Sequence, residues 1–541
     1  MSTKRTLGIV AAVLGGGIFV AGLAGAVFFG FTKLRRAKQL REEAARVETQ
    51  RKEQPAMVVA PAPLPTALPL IQREGKDEYG YPRSYVDGPA LRSLLASERF
   101  TELTAYMEQF QRDFEADPAK ELWPIRAAES FDSAEAALLP KLDAWVRASP
   151  ASFAPYVARG AHWAAVAYAR RGTKWARETP EASFKGMREA GIPARADLAH
   201  AFSLAPKSVA TLRLSISLAI PLGDRTMEDD ALRAAERVCP TCFSVRAAHM
   251  KGLEPRWGGS YRAMEDYAAH VPIALNGRLK LLAGYADDDR SDAAFYEKKL
   301  DDALRLANAA CSRGMHWDFL GTRATVLLAR NDAEHALVDL DHALDHRPEL
   351  PWLHLLRARA RERHREWEGA GRDLVESMRL DATDEWQRWL LPRIVRGLAD
   401  EGAAAHRRGD RDTAMRLLDL ASELSPFDRE VHDLREQAVR GAVTGTPDEL
   451  ASLEAKIKAA PDDFRAHQQL DFALAKQRKY ERVIEMWSGY LQRHSQDGPA
   501  YFERSGAYYN SGHRPEAFAD LAKACELGVD QACAYQRQLK R

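Results

Sequence analysis

Hydrophobic positions along this chain of 541 residues fall into two regimes. From Leu7 to Phe31 no charged residue occurs, and these 25 residues at helical rise slightly exceed the hydrocarbon thickness of a bilayer. The run predicts a membrane-spanning helix. It reads as retained rather than cleaved, because a signal peptide has a shorter apolar region and a clear small-x-small cleavage site. From Tyr85 onward, apolar residues recur at helical spacing with short breaks, and no sustained two-residue alternation builds a sheet, so the body reads as all-α. Phe153 to Arg170 is typical: Pro155 suits a first turn, Ala158, Ala161, Ala165 and Tyr168 share one face, and Gly172 supplies a stop. Two separate stretches also repeat every 34 residues. Leu198, Ala201 and Pro206 return as Leu232, Ala235 and Pro240, while Ala466, Ala473 and Tyr480 return as Ala500, Ala507 and Arg514.

The repeat carries a packing logic: a small residue where two helices cross, a turn, an alanine early in the second helix, a large apolar residue four later, and a closing proline. Ala324, Asn331, Asp332, Ala336, Leu340, Ala343 and Pro348 satisfy that series, and Ala358, Trp367, Ala370 and Leu374 repeat most of it. After an insertion, Gly402, Gly409, Asp410, Ala414, Leu418, Ala421 and Pro426 match again, and Pro461 marks a weaker unit. Two more units carry Tyr480, Val483, Trp487 and Tyr490, then Tyr501, Tyr508, Gly512, Ala517, Leu521 and Ala524. From Trp317 to the C-terminus the chain resembles the tetratricopeptide family. The resemblance implies an α-α solenoid whose concave face, lined by the first helix of each pair, binds an extended peptide or a partner helix.

A second resemblance lies upstream. Tyr156, Arg159 and Gly160, the tryptophans Trp163 and Trp175, and Pro255-Arg256-Trp257-Gly258-Gly259-Ser260 followed by Met264 and Tyr267 look like the bacterial proteins grouped as domain of unknown function 4034. That family brings no assigned activity. Gly258 and Gly259 read as a turn, Ser260 as the cap of the next helix and Trp257 as a seal on the preceding pair. Near the C-terminus, Cys525 and Cys533 sit eight apart in a stretch resembling a Sel1-like repeat. That resemblance implies a disulfide staple if the thiols are oxidised and ordinary buried thiols if they are not.

The expected organisation is therefore a tail (1–6), the transmembrane helix (7–31), a charged helical stalk (32–53) and a proline-rich linker (54–84). The domain resembling family 4034 follows (85–271), then connecting helices (272–316), tetratricopeptide-like repeats (317–528) and a C-terminal cap helix (529–541). Lys33, Arg35, Arg36, Lys38 and Arg41 after the span favour a cytoplasmic body by the positive-inside rule; the proline spacer and the cysteines favour a periplasmic one. Either way the expectation is a single-pass bacterial inner-membrane protein. Small residues along the span, such as Gly17, Ala21 and Gly25, also suit self-association through that helix. With 78 basic against 77 acidic residues, no net field exists to recruit nucleic acid, and none is expected.

Candidate chemistry is sparse. Cys239-Pro240-Thr241-Cys242 has redox or half-zinc spacing, but it occupies an interhelix turn without a βαβ context or a second ligand pair. Asp339, His342 and His346 share a helical face that the repeat frame turns to solvent, and no metal or cofactor is expected there. Five arginines, Arg357, Arg359, Arg361, Arg363 and Arg365, alternate along one first helix, and the frame aims Trp352, Arg359 and Arg363 into the groove. Arginine grips carboxylates by paired hydrogen bonds and tryptophan adds apolar contact, so these three are the candidate partner-binding residues. The expected function is a membrane-anchored scaffold or adaptor for a protein partner, without catalysis. The alternatives are an envelope redox or metal-binding protein using Cys239 and Cys242, and an enzyme in the middle domain.

Overall fold

The computed structural model describes residues 63–172, 179–381, 384–426, 428–442, 445–529, 532–533 and 535. The expected span 7–31, with the self-association assigned to it, the stalk 32–53 and most of the final helix 529–541 lie outside them. Among the described residues no helix is long and apolar enough to cross a membrane. The single-pass inner-membrane placement is corrected on that finding. The physical reason is composition: the 24-residue helix Glu181–Leu204, for example, carries charges along its whole length and turns Met187, Ala190, Ala194, Leu198 and Ala201 into the protein core.

The described residues form 24 α-helices, several 3-10 turns and one two-stranded ribbon in which Leu70–Ile71 runs antiparallel to Tyr85–Val86. Within the expected linker 54–84, the described residues 63–84 include one strand of this ribbon and pack on the helices. Tyr81 is buried and donates to Glu121 Oε1 at 2.7 Å, and Arg73 and Arg83 both reach the Asp345 carboxylate at 3.0 Å. One hydrophobic core lies beneath residues 86–248, around Phe110, Trp145 and Leu198. A second runs without a break from Phe243 to Ala360.

Helix pairs in the C-terminal half follow the sequence frame. Trp317–Ala329 packs on Ala333–His346, Pro351–Arg363 on Trp367–Leu380, Glu385–Arg407 on Arg411–Leu424, and Gly498–Asn510 on Arg514–Glu526. First helices of successive pairs also touch one another, which is the contact order of a solenoid. Pairing begins well upstream of Trp317: Ala154–Arg171 packs on Glu181–Leu204 and Val209–Leu222 on Arg225–Val238. Tyr285–Tyr296 and Leu300–Cys311, expected as connecting helices, pack as a pair, and the first of them contacts Trp317–Ala329.

Small residues let these helices approach: Ala324, Ala336, Ala343, Ala358, Ala370, Ala414 and Ala421 are wholly buried. Each turn within a pair places one residue in the left-handed region: Lys298, Asn331, Arg365, Gly409, Arg478 and Gly512. The following helix is then capped in several units by an aspartate, with Asp332 accepting from the His335 amide and Asp410 from that of Thr413.

A charge ladder, invisible to the apolar frame, ties the pairs. Arg323 reaches Asp339, Arg357 reaches Asp373 and Arg504 reaches Asp520, in each case through two guanidinium nitrogens and across 16 residues, from a first helix to its own second helix. The remaining terminal nitrogen of each arginine turns back to the preceding unit. Arg323 donates to Asn308, Arg357 to Asp341 and Arg504 to Ser488. One planar fork therefore spans three helices, a geometry that lysine's point charge would not reproduce.

Candidate partner-binding surface

Pro351 at the first turn opens the helix Pro351–Arg363, and its four alternating arginines, with Arg365 just past its end, meet different fates. Arg357 belongs to the ladder. Arg361 joins it, donating to Asp373 Oδ2 at 2.8 Å. Arg363 bonds back to the preceding turn, to the Leu328 carbonyl and to Asn331 Oδ1. Arg365 is the left-handed turn residue, with φ of 59°. Arg359 has neither an ion pair nor a hydrogen bond among the described residues, whereas Arg363 lacks an ion pair but is hydrogen-bonded: the half-buried Arg359 guanidinium lies 5.7 Å from the centre of the Trp386 ring. Burial, then the charges of Arg363 and Arg393, push its pKa down against the smaller opposing pull of Glu362, so Arg359 sits in a net positive field.

Trp386 and Trp389 come from the next first helix, Glu385–Arg407, where Asp384 caps the N-terminus by accepting from the Trp386 amide. They stack edge to face with centroids 5.8 Å apart, and they remain 57% and 48% exposed, unusual for this residue type. The Arg393 guanidinium covers Trp389 at 4.5 Å and also reaches Glu362. Beside them opens a cleft of about 750 Å³ between Asn331, Glu362, Arg363 and Arg365 on one wall and Arg393, Gly397, Asp400 and Glu401 on the other, with Trp367 at its floor. Two exposed aromatic faces, an unpaired cation and an open cleft thus share one surface.

Of the three residues the sequence singled out, Arg359 lies on this surface and Arg363 lines the cleft while bracing the neighbouring turn. Trp352 does not join them. Its ring packs edge-on to Trp317 at 6.1 Å and covers Gly321, where a Cβ would stand 2.3 Å from Trp352 Cη2. Trp386 and Trp389 were not singled out, although two tryptophans three apart inside the insertion that breaks the 34-residue period were the signal for them.

The other candidates resolve differently. Cys239 and Cys242 form a disulfide within their turn and are 2% and 1% exposed; Cys525 and Cys533 form a second one, and Cys311 is a buried free thiol. Asp339 is not on a solvated face. It is buried and held by Arg323, while His346 leaves that face to pair with Glu78 at 3.0 Å. Ser260 accepts from the Ala263 amide at 3.1 Å as a helix cap, after Gly258 in the left-handed region.

These observations define a tetratricopeptide-like helical-repeat protein. Residues 89–227 match the family model described as Domain of unknown function (DUF4034), within the 85–271 expected from the sequence, so the chain carries a DUF4034 region ahead of and partly within its helix pairs. No curated protein matches the chain. Among solved structures, the P58(IPK) TPR domain is 13% identical, covering 81% of this chain and 97% of that one at a TM-score of 0.21. A tetratricopeptide repeat protein from Parabacteroides merdae is 14% identical, covering 61% and 98% at 0.20, and yeast Tom70 is 10% identical, covering 83% and 94% at 0.22. At such scores the likeness carries no argument. The repeat assignment rests on the helix pairs, their turns and their small-residue contacts.

Proposed function

We propose that this protein is a helical-repeat scaffold that docks an acidic, partly apolar segment of a protein partner on the surface of Arg359, Arg393, Trp386 and Trp389, and performs no covalent chemistry. The observation that carries the reading is Arg359, a cation left without a carboxylate or hydrogen bond beside two exposed tryptophans, while Arg357 and Arg361 on the same helix are paired with Asp373. A carboxylate from a partner would complete its fork, and the indole faces would bury apolar side chains next to it. In this reading the Cys525–Cys533 bridge holds the end of the array in place. The buried Cys239–Cys242 bridge offers no accessible thiol, which weighs against a redox role.

Fluorescence anisotropy of labelled decapeptides tests the proposal. A glutamate-rich peptide with central leucines is expected to bind the full chain, with affinity falling as salt rises. Arg359→Glu and the pair Trp386→Ala with Trp389→Ala are each expected to weaken it at least tenfold, and a lysine-rich peptide of equal length is expected not to bind. Equal binding of both peptides, or binding indifferent to Arg359→Glu, would sink the reading.

A further inference from the structure

A second, unrelated site lies where the DUF4034 region meets the first repeats. There a cavity of about 70 Å³ is enclosed by the helices Leu122–Glu129, Val209–Leu222 and Ser244–Gly252, the 3-10 segment Gly277–Gly284, the start of Trp317–Ala329 and the residue after Ala333–His346. A single water needs roughly 10–15 Å³ of such volume, so the space suits about five oxygen-sized atoms.

Its lining is cationic to a degree that buried protein rarely tolerates. Arg126, Arg213, Lys251, Arg278 and Arg347 face it, against Glu129 and Asp318. Two further carboxylates stand behind the wall, Glu349 beside Arg126 and Arg347, and Asp77 at 4.0 Å from Arg278. Asp132 acts on Arg126 and Arg213, and Glu254 and Asp288 on Lys251, but the arginines at the cavity wall share acceptors, with Glu129 divided between Arg126 and Arg213. The sharing leaves donors idle. Arg278 Nε and Nη1, Arg347 Nη2 and Arg126 Nε are buried without a hydrogen-bond partner, and the Arg278 and Arg347 side chains are only 4% and 3% exposed. Arg278 rests on the Tyr81 ring at 3.8 Å, which holds the guanidinium plane but satisfies none of its N–H groups. Two carboxylate oxygens, Asp318 Oδ2 and Glu349 Oε2, are idle as well, but the idle donors outnumber them, and an unpaired buried donor costs about 1–3 kcal/mol, more when charged, so an acceptor in the cavity would relieve them.

The surrounding field agrees. His316 is buried next to this site, and burial, followed by the charges of Arg278, His346 and Lys251, holds its pKa well below the ordinary histidine range. Lys251 is different in kind: paired with Asp318 at 3.2 Å yet half exposed, it stands where the cavity meets solvent.

We propose that this cavity binds one tetrahedral oxyanion of the phosphate class, held by the forks of Arg126, Arg278 and Arg347 with Arg213 and Lys251 at its edge. Donors arriving from several elements match a tetrahedral acceptor better than a planar carboxylate, which one or two forks already saturate. The anion is either free phosphate or the phosphoryl end of a larger molecule whose remainder leaves past Lys251.

Equilibrium dialysis of the full chain against labelled inorganic phosphate, with chloride and acetate at matched ionic strength as competitors, tests this. The expected result is saturable binding of one phosphate per chain that neither competitor displaces. Arg213→Gln and Lys251→Ala, both at partly exposed positions, are expected to weaken it about tenfold while leaving the circular dichroism spectrum unchanged, and Arg359→Ala, outside the cavity, leaves binding intact. Competition by glycerol 2-phosphate at least as strong as by phosphate assigns the site to a phosphoryl group on a larger ligand; its exclusion assigns it to the free anion. No saturable binding above that of chloride would overturn the proposal and leave the cavity to water, as would binding that Arg213→Gln and Lys251→Ala do not alter.

Discussion

Removing the Asp373 side chain should cost more than removing Arg357, its main partner. Asp373 is 3% exposed and accepts from Arg357 through two nitrogens and from Arg361 through one. Burial alone would raise its carboxyl, but the nearby His354 at 3.6 Å and the hydrogen bonds of Arg357, with the charges of Arg357 and Arg361, outweigh burial and hold its pKa below the ordinary value. Asp373→Ala strands two cations at once and falls in the range of about 3–5 kcal/mol measured when one partner of a buried pair is deleted. Arg357→Ala leaves Asp373 with Arg361, and the loss should be nearer 1.5–3 kcal/mol, roughly that of a hydrogen bond to a charged group. Replacing both, Arg357→Met with Asp373→Leu, should recover most of that loss, because the desolvation of Arg357 and Asp373 disappears together and the partly exposed Arg361 keeps Glu366 within reach. A repeat array need not unfold in one step, so native-state hydrogen exchange of the helices Pro351–Arg363 and Trp367–Leu380 is the assay. A loss under about 1 kcal/mol for Asp373→Ala, or a double variant as damaged as the sum of the singles, would refute the bracing role.

Three further outcomes follow from particular contacts. Burial, partly offset by Lys251, pushes Glu254 up to about 7; the folded state thus holds a proton that the unfolded chain releases near pH 4.3, and stability should fall as pH rises from about 4.3 to 7. Glu254→Gln should flatten that part of the pH profile of the unfolding midpoint. Gly321→Ala places a methyl against Trp352 and should cost about 1–3 kcal/mol, read by urea unfolding, whereas Gly489→Ala, with open space around it, should not. Replacing both Cys525 and Cys533 by serine opens a short loop worth about 2–3 kcal/mol in the chain-entropy account, and exchange protection should drop in Arg514–Glu526 while the pairs before Phe464 keep theirs.

What the sequence made legible was the close contact between helices, because alanine and glycine at crossing points are a direct record of it. Ala324, Ala358 and Ala414 are buried as their spacing required. The unit Tyr285–Cys311 escaped notice because Asp288 and Asp289 are buried in its first helix and mask the apolar period. The ladder escaped because partners 16 residues apart lie on different helices, and each arginine reads alone as a solvated charge. Arg359 was singled out from its place on a first helix, and it lies beside Trp386; Trp352 packs on Trp317 instead because Gly321 opposite it provides room for the ring, a fact of the neighbouring repeat. The cationic cavity gathers residues from Leu122 to Arg347, and no local spacing connects them.

The backward reach of each ladder arginine bears on how force and unfolding propagate. Where a fork clasps the previous unit, as at Arg323, Arg357 and Arg504, adjacent repeats are fastened as well as stacked, and peeling one away exposes polar groups on its neighbour. The long helix Glu385–Arg407 shows no such bidentate clasp among its described residues; its Arg393 and Arg396 hold single acids, Glu362 and Glu430. Arg429–Ala442 and Phe464–Lys476 show none among their described residues either, so the array should be fastened near Arg323 and Arg357 and again at Arg504, with a looser stretch between; a molecule gripping Trp386 and Trp389 would hold the upstream edge of that stretch.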